Sequence, residues 1–206
     1  MDWYFDFISP YSYLQFERMP AWPPGVSLVP KPIVFAALLN HWGQKGPAEI
    51  AVKRAFTYRQ VQWLGDRAGT PFRFPPRHPF NPIGVLRLAV ALDNDLDAIR
   101  TIFRFIWAEG KAVDTPEGFA ELARNLGLTD ADKRIADPEV KAKLRRYGEE
   151  AIAAGVFGVP TLVIDRLVFW GNDATEMARD YLENPRHFDN AEMKRIEDLP
   201  VGVSRG

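Results

Sequence analysis

No cysteine occurs among the 206 residues. That absence excludes disulfides, thiolate zinc sites and a catalytic thiol belonging to the chain, so any sulfur chemistry must be borrowed from a ligand. Histidine is scarce too: His41, His78 and His187 are the only three, none with a second histidine at a helical ligand spacing. No metal site is expected. Neither sign of charge is in excess, with 26 Lys and Arg against 27 Asp and Glu and a formal net charge of -1. Nothing in that balance drives binding to a phosphate backbone or an anionic membrane, and nucleic acid is not an expected partner. Long hydrophobic runs are missing as well. Pro, Gly or a charge interrupts each apolar stretch well before the roughly 18 residues that a membrane span requires. The start, Met1-Asp2-Trp3-Tyr4-Phe5-Asp6, places no basic stretch ahead of an apolar run, so a cytoplasmic protein without a membrane association is expected.

What is present, 47% hydrophobic and 26% charged residues, suits one folded domain or one domain with a large insertion. Trp3 to Ile8 reads as a strand buried on both faces, broken only by Asp6, whose carboxylate must be paired within the fold. Ser9 as N-cap and Pro10 as first helical residue then open a helix through Met19. Val26 to Ile33 supplies a second strand, parallel to the first because a helix connects them. Helical periodicity follows in Phe35 to Trp42, Ala48 to Ala68 and Ile83 to Trp107, with a break near Asp93-Asn94-Asp95. Thr115-Pro116 and Asp137-Pro138 open two more helices, the second running to Gly155. Between them the prolines at 71, 75, 76, 79 and 82 impose an extended connection. Thr161 to Trp170 reads as an antiparallel hairpin turning at Asp165-Arg166, and Asn172-Asp173 caps a last helix ending near Pro185. The predicted class is α/β with order β-α-β, a large all-helical insertion, then β-β-α. Residues 1–34 and 156–206 form a discontinuous domain around an insertion at 35–155. The charged tail from Phe188 to Gly206 is expected to dock loosely and carries no assigned function.

Ser9-Pro10-Tyr11-Ser12 stands where a thioredoxin-fold oxidoreductase has Cys-x-x-Cys, with the helix N-terminus placed to stabilise a thiolate. A hydroxyl there cannot exchange disulfides. It can donate a hydrogen bond to the sulfur of a bound thiol, which turns a redox site into a thiol-activating one.

Phe5-Asp6-Phe7-Ile8-Ser9-Pro10-Tyr11-Ser12-Tyr13-Leu14, Phe157-Gly158-Val159-Pro160-Thr161 and Trp170-Gly171-Asn172-Asp173 occur together at the two ends of the helical insertion. In these motifs the chain resembles the 2-hydroxychromene-2-carboxylate isomerase family, relatives of kappa-class glutathione transferases within the DsbA-like branch of the thioredoxin fold. The resemblance implies glutathione as cofactor. It implies that Ser9 activates the glutathione sulfur, that the backbone of Val159 before a cis Pro160 pairs with the cysteinyl unit, and that Trp170, Gly171, Asn172 and Asp173 hold the γ-glutamyl end. Lys53, Arg54 and Asn81 fall near family positions that contact the organic substrate, an aromatic keto acid. A homodimer is also implied.

A purely structural reading stands beside each assignment. Ser9 is a good N-cap, Asp173-Ala174-Thr175-Glu176 fits a capping box, and Asn81-Pro82 is a helix start. Lys53-Arg54 fits a solvated helix face, Ser12 is expected on the helix surface, and His78 is left out of the catalytic set. Tyr11, Trp42 and Trp170 are candidates for the walls of a flat apolar pocket. The implied reaction interconverts 2-hydroxychromene-2-carboxylate and trans-o-hydroxybenzylidenepyruvate. Two rivals remain: a kappa-type transferase with the same sulfur site, and a non-catalytic binding module whose groove beside Pro160 takes a peptide strand.

Overall fold

The fold is that of a computed structural model in which residues 1–203 are described. Its single sheet has the order β2-β1-β3-β4, with β1 Asp2–Phe5 parallel to β2 Val29–Pro32 and antiparallel to β3 Thr161–Ile164, which pairs with β4 Leu167–Trp170. Central β1 sends Trp3 and Phe5 to one face and Tyr4 to the other, and all three are buried, as expected for a sheet covered on both sides. The strand is shorter than the apolar run that suggested it. It ends where the Asp6 carboxylate turns back to accept the Ile8 N–H at 3.0 Å, while its other oxygen accepts the Phe35 N–H at 2.9 Å. The partner demanded by this buried carboxylate is therefore backbone amide. β2 likewise starts later than expected, because Val26 N–H closes a turn onto the Pro23 carbonyl. Asp165 and Arg166 both have positive φ, 49° and 75°, the pair of left-handed residues that a two-residue hairpin turn requires.

Helix α1, Pro10–Glu17, packs on the Trp3 and Phe5 face, with Tyr13, Leu14 and Phe16 in the larger core. That core continues without a break through α4 Ile83–Ala91 and α5 Leu96–Trp107, so the sheet and the helices between β2 and β3 share one apolar interior. On the Tyr4 face a smaller core joins Ile33 and Val159 to Leu38 of α2 Phe35–His41 and Ala151 of α8 Pro138–Ala153. The remaining insertion helices are α3 Ala51–Ala68, α6 Pro116–Asn125 and α7 Ala131–Ala136. The expected break after α4 is present: Asp93 and Asn94 adopt positive φ, and the Asp95 carboxylate caps α5. Thr115 and Asp137 cap α6 and α8 with their side chains, as local pattern predicts.

The capping box expected at residues 173–176 does not form. Helix α9, Thr175–Glu183, starts later, with Ala174 at the cap position, because Thr175 Oγ1 donates instead to the Asn172 carbonyl. The tail is anchored at Phe188, which packs against Phe169 and Tyr181, and beyond it is mostly exposed, with Asn190 capping α10, Ala191–Glu197. Residues 204–206 of that tail lie outside the described residues. Among the described residues no helix is long and apolar enough to cross a membrane.

Candidate active site

The site is built around Ser9, which has the extended backbone of an N-cap, φ -90° and ψ 112°, and is only 7% exposed. Its N–H donates to the Asp6 carbonyl at 3.1 Å and its carbonyl accepts from Ser12 and Tyr13. Its Oγ accepts the Ser12 N–H at 3.2 Å, so the capping role is real. Capping uses only a lone pair. The hydroxyl proton has no acceptor among the described residues, and the next free amide of the helix, Tyr11 N–H, has no partner either, since Pro10 has no N–H to offer. Two donors at a helix N-terminus are thus available to one incoming anion.

Ser12, expected on the helix surface, is fully buried, and its Oγ has no partner. The cause is that α1 is covered nearly all round, by the sheet on one side and by α3 and α5 on others, which a short eight-residue helix pattern does not reveal.

The Val159-Pro160 peptide is cis, as the resemblance implies. No hydrogen bond reaches the Val159 N–H or carbonyl from the other described residues, although the residue is buried. Unpaired backbone groups in such a place are unusual and suit a peptide-like ligand. Residues 170–173 are tied to this loop, because Gly171 N–H donates to the Pro160 carbonyl at 2.8 Å. They are also tied to α1: buried Gln15 accepts from the Trp3 indole at 2.7 Å and donates from Nε2 to the Gly171 carbonyl at 3.2 Å and to Thr175 Oγ1 at 2.9 Å. Gly171 has φ +97°, and a side chain there would run into the Asp173 carboxylate. Trp170 is half exposed, packs tilted against Phe157 with ring centroids 5.0 Å apart, and covers Gly158.

The hydroxyl of Tyr11 donates to Gln60 of α3 at 2.7 Å. Burial pushes its pKa up, and the nearby Asp173 charge adds to that, so Tyr11 stays protonated. Helix α3 therefore closes one side of the site. Lys53 lies one turn before Thr57 on this helix, toward the face whose Gln60 meets Tyr11, and is exposed. Arg54 is exposed too, bonding back to the Ala48 carbonyl at 3.4 Å. Asn81 lies at the start of α4, where its side chain accepts the Ile83 N–H at 3.1 Å as a helix-start residue would. Among the described residues none of these three is hydrogen-bonded to Ser9. Trp42 is anchored through its indole to the Val156 carbonyl at 2.9 Å, three residues before Val159.

One residue set aside in the sequence supports the site from behind. His78 Nε2 is 2.9 Å from the Ile8 carbonyl and Nδ1 is 2.7 Å from the Tyr58 hydroxyl. Burial lowers the His78 pKa, against the smaller opposing effect of the Ile8 bond. Burial likewise pushes the Asp6 carboxyl up to about 7, opposed by its two amide donors. A proline-rich loop gives no local sign of such contacts.

Residues 1–183 match the family described as DSBA-like thioredoxin domain. The glutathione S-transferase kappa 2 of Caenorhabditis elegans is 30% identical over 207 residues, covering 88% of this chain and 91% of that protein. The 2-hydroxychromene-2-carboxylate isomerase of Sphingobium xenophagum is 27% identical over 190 residues, covering 88% and 97%. Among solved structures, a 2-hydroxychromene-2-carboxylate isomerase shares the fold with a TM-score of 0.76 at 24% identity, covering 93% of this chain and 98% of the other. The chain accordingly belongs to the DSBA-like thioredoxin domain family, in the group of kappa-class glutathione transferases and 2-hydroxychromene-2-carboxylate isomerases.

Proposed function

We propose that the chain is a glutathione-dependent isomerase that interconverts 2-hydroxychromene-2-carboxylate and trans-o-hydroxybenzylidenepyruvate, or a related aromatic keto acid. The observation that carries this reading is the uncommitted Ser9 hydroxyl proton beside the free Tyr11 N–H at the start of α1. The donor set fits a thiolate with a peptide backbone behind it. Bound glutathione supplies a sulfur nucleophile that adds reversibly to the double bond conjugated to the keto acid, which allows rotation about that bond.

The chain's own residues hold that sulfur as an anion. Ser9 donates its proton as a hydrogen bond, and the Tyr11 amide and the helix dipole favour negative charge at the same place. Val159 offers its unpaired N–H and carbonyl to the cysteinyl backbone. Trp170, Gly171, Asn172 and Asp173 are assigned to the γ-glutamyl group, whose ammonium the Asp173 carboxylate can pair with. Lys53, Arg54 and Asn81 are assigned to the carboxylate of the organic substrate, which requires α3 and the start of α4 to approach the ligand. The homodimer implied by the resemblance belongs to this proposal, as does a cytoplasmic setting.

One alternative is a kappa-type transferase with the same sulfur site and a different second substrate, supported by the 30% identity to a kappa-class glutathione S-transferase. Ultraviolet absorbance of 2-hydroxychromene-2-carboxylate mixed with protein, with and without glutathione, decides between them. Glutathione-dependent conversion that collapses in Ser9→Ala supports the isomerase. No conversion by wild type that binds glutathione sinks this substrate and leaves a transferase or a non-catalytic binding module.

A further inference from the structure

On the sheet face opposite α1, a cavity of about 330 Å³ opens between the start of α2, α4 and α8. That volume falls in the range of small-molecule sites, about 300–1,000 Å³. Val34, Leu38, Leu144 and Ile152 make its walls apolar. The charges around it do not balance: Arg87, Lys141 and Arg145 face it with one carboxylate, Glu149, which pairs with Arg145 at 3.5 Å. Among the described residues neither Arg87 nor Lys141 has an ion-pair partner, and the buried Nε of Arg87 has no hydrogen bond at all. A half-buried guanidinium beside apolar walls is costly unless an anion completes it.

Gly148 is the second, independent observation. It lies in the interior of the sixteen-residue α8, where glycine weakens a helix relative to alanine. Nothing in the backbone requires it, for its φ is not in the left-handed region and a Cβ built there meets no atom within 4 Å. The missing side chain keeps the cavity open toward α2 and α4.

We propose that this cavity is a second ligand site, for a small organic anion with an apolar body on Leu38, Leu144 and Ile152 and one acidic head on Arg87 and Lys141. It shares no residue with the Ser9 site, and it stands whether or not the isomerase reading does.

8-Anilinonaphthalene-1-sulfonate, an apolar ring system with one sulfonate, is the probe, titrated by fluorescence into the full chain. One equivalent is expected to bind. Gly148→Leu fills the cavity and is expected to weaken binding at least tenfold while its thermal midpoint is kept or raised. Arg87→Met, which keeps the length of the side chain and removes its charge, is expected to weaken binding about fivefold. Trp170→Ala, at the other site, leaves the affinity unchanged. Wild type that does not bind, Gly148→Leu or Arg87→Met that binds like wild type, or loss of binding in Trp170→Ala overturns the proposal.

Discussion

His78 Nε2 lies 2.9 Å from the carbonyl oxygen of Ile8, the residue that precedes Ser9. A carbonyl only accepts, so Nε2 carries the proton; burial favours the neutral ring, which leaves Nδ1 an acceptor beside the Tyr58 hydroxyl, itself 2.8 Å from the His78 carbonyl. Together with the Asp6 carboxylate on the Ile8 N–H and the Asp6 carbonyl on the Ser9 N–H, this holds the peptide groups on the approach to Ser9.

Replacing His78 with Ala removes both bonds and the ring packed edge-on to Trp107 at 5.5 Å, and is expected to cost about 2–4 kcal/mol. The pH dependence has a definite sign. The folded pKa lies below the ordinary 6.5, so as pH falls through 6.5 the unfolded chain takes up the proton first and stability is lost. His78→Ala should lack that component in urea titrations compared at pH 7 and pH 5.

Asp6 has the opposite slope. Its carboxyl is raised to about 7 from 3.8, so the folded chain holds the proton more tightly between those values; the stabilisation is full below 3.8 and is lost as pH rises through about 7. The shift corresponds to about 4 kcal/mol. Asp6→Asn should flatten this part of the stability curve, while lowering stability by about 1–3 kcal/mol because its NH2 group faces one of two N–H donors.

Ser12→Ala should leave the protein as stable as wild type or about 1 kcal/mol more stable. Its buried hydroxyl has no partner, so removing it relieves a desolvation cost and breaks no bond. A loss of more than 1 kcal/mol in chemical denaturation would show that Ser12 Oγ is bonded after all.

Gln15→Leu leaves the Trp3 indole and the Gly171 carbonyl unpaired in the interior, at a cost of about 2–3 kcal/mol. Because it frees residues 170–173 and leaves the Ser9 cap intact, calorimetry should show glutathione affinity reduced several-fold. An unchanged affinity in the folded variant would separate that segment from ligand binding.

Where structure follows from neighbours in the chain, it was legible. Ser9 and Pro10 start a helix whatever surrounds them, and Asp95, Thr115 and Asp137 cap theirs for the same reason. Local pattern failed at Asp173. The hydroxyl that would have sat inside a capping box, Thr175, is held between Gln15 and the Asn172 carbonyl, and the helix start moves with it. Ser12 was misplaced because an alternating pattern over eight residues does not show that a helix is enclosed on several sides. His78 had no readable signal, since its partners Ile8 and Tyr58 are remote in the chain.

The absence of any thiol, the strand that leads into a serine-capped helix, and the hairpin that begins at Pro160 were determined by the sequence alone, through composition, periodicity and capping, which act over a few residues. Tertiary structure alone decided that the Gly171 amide meets the Pro160 carbonyl, that Gln15 joins α1 to that loop, and that the Tyr11 hydroxyl meets Gln60 of α3. Those are hydrogen bonds between distant segments. They depend on how two apolar faces of one sheet are covered, and no local preference encodes that.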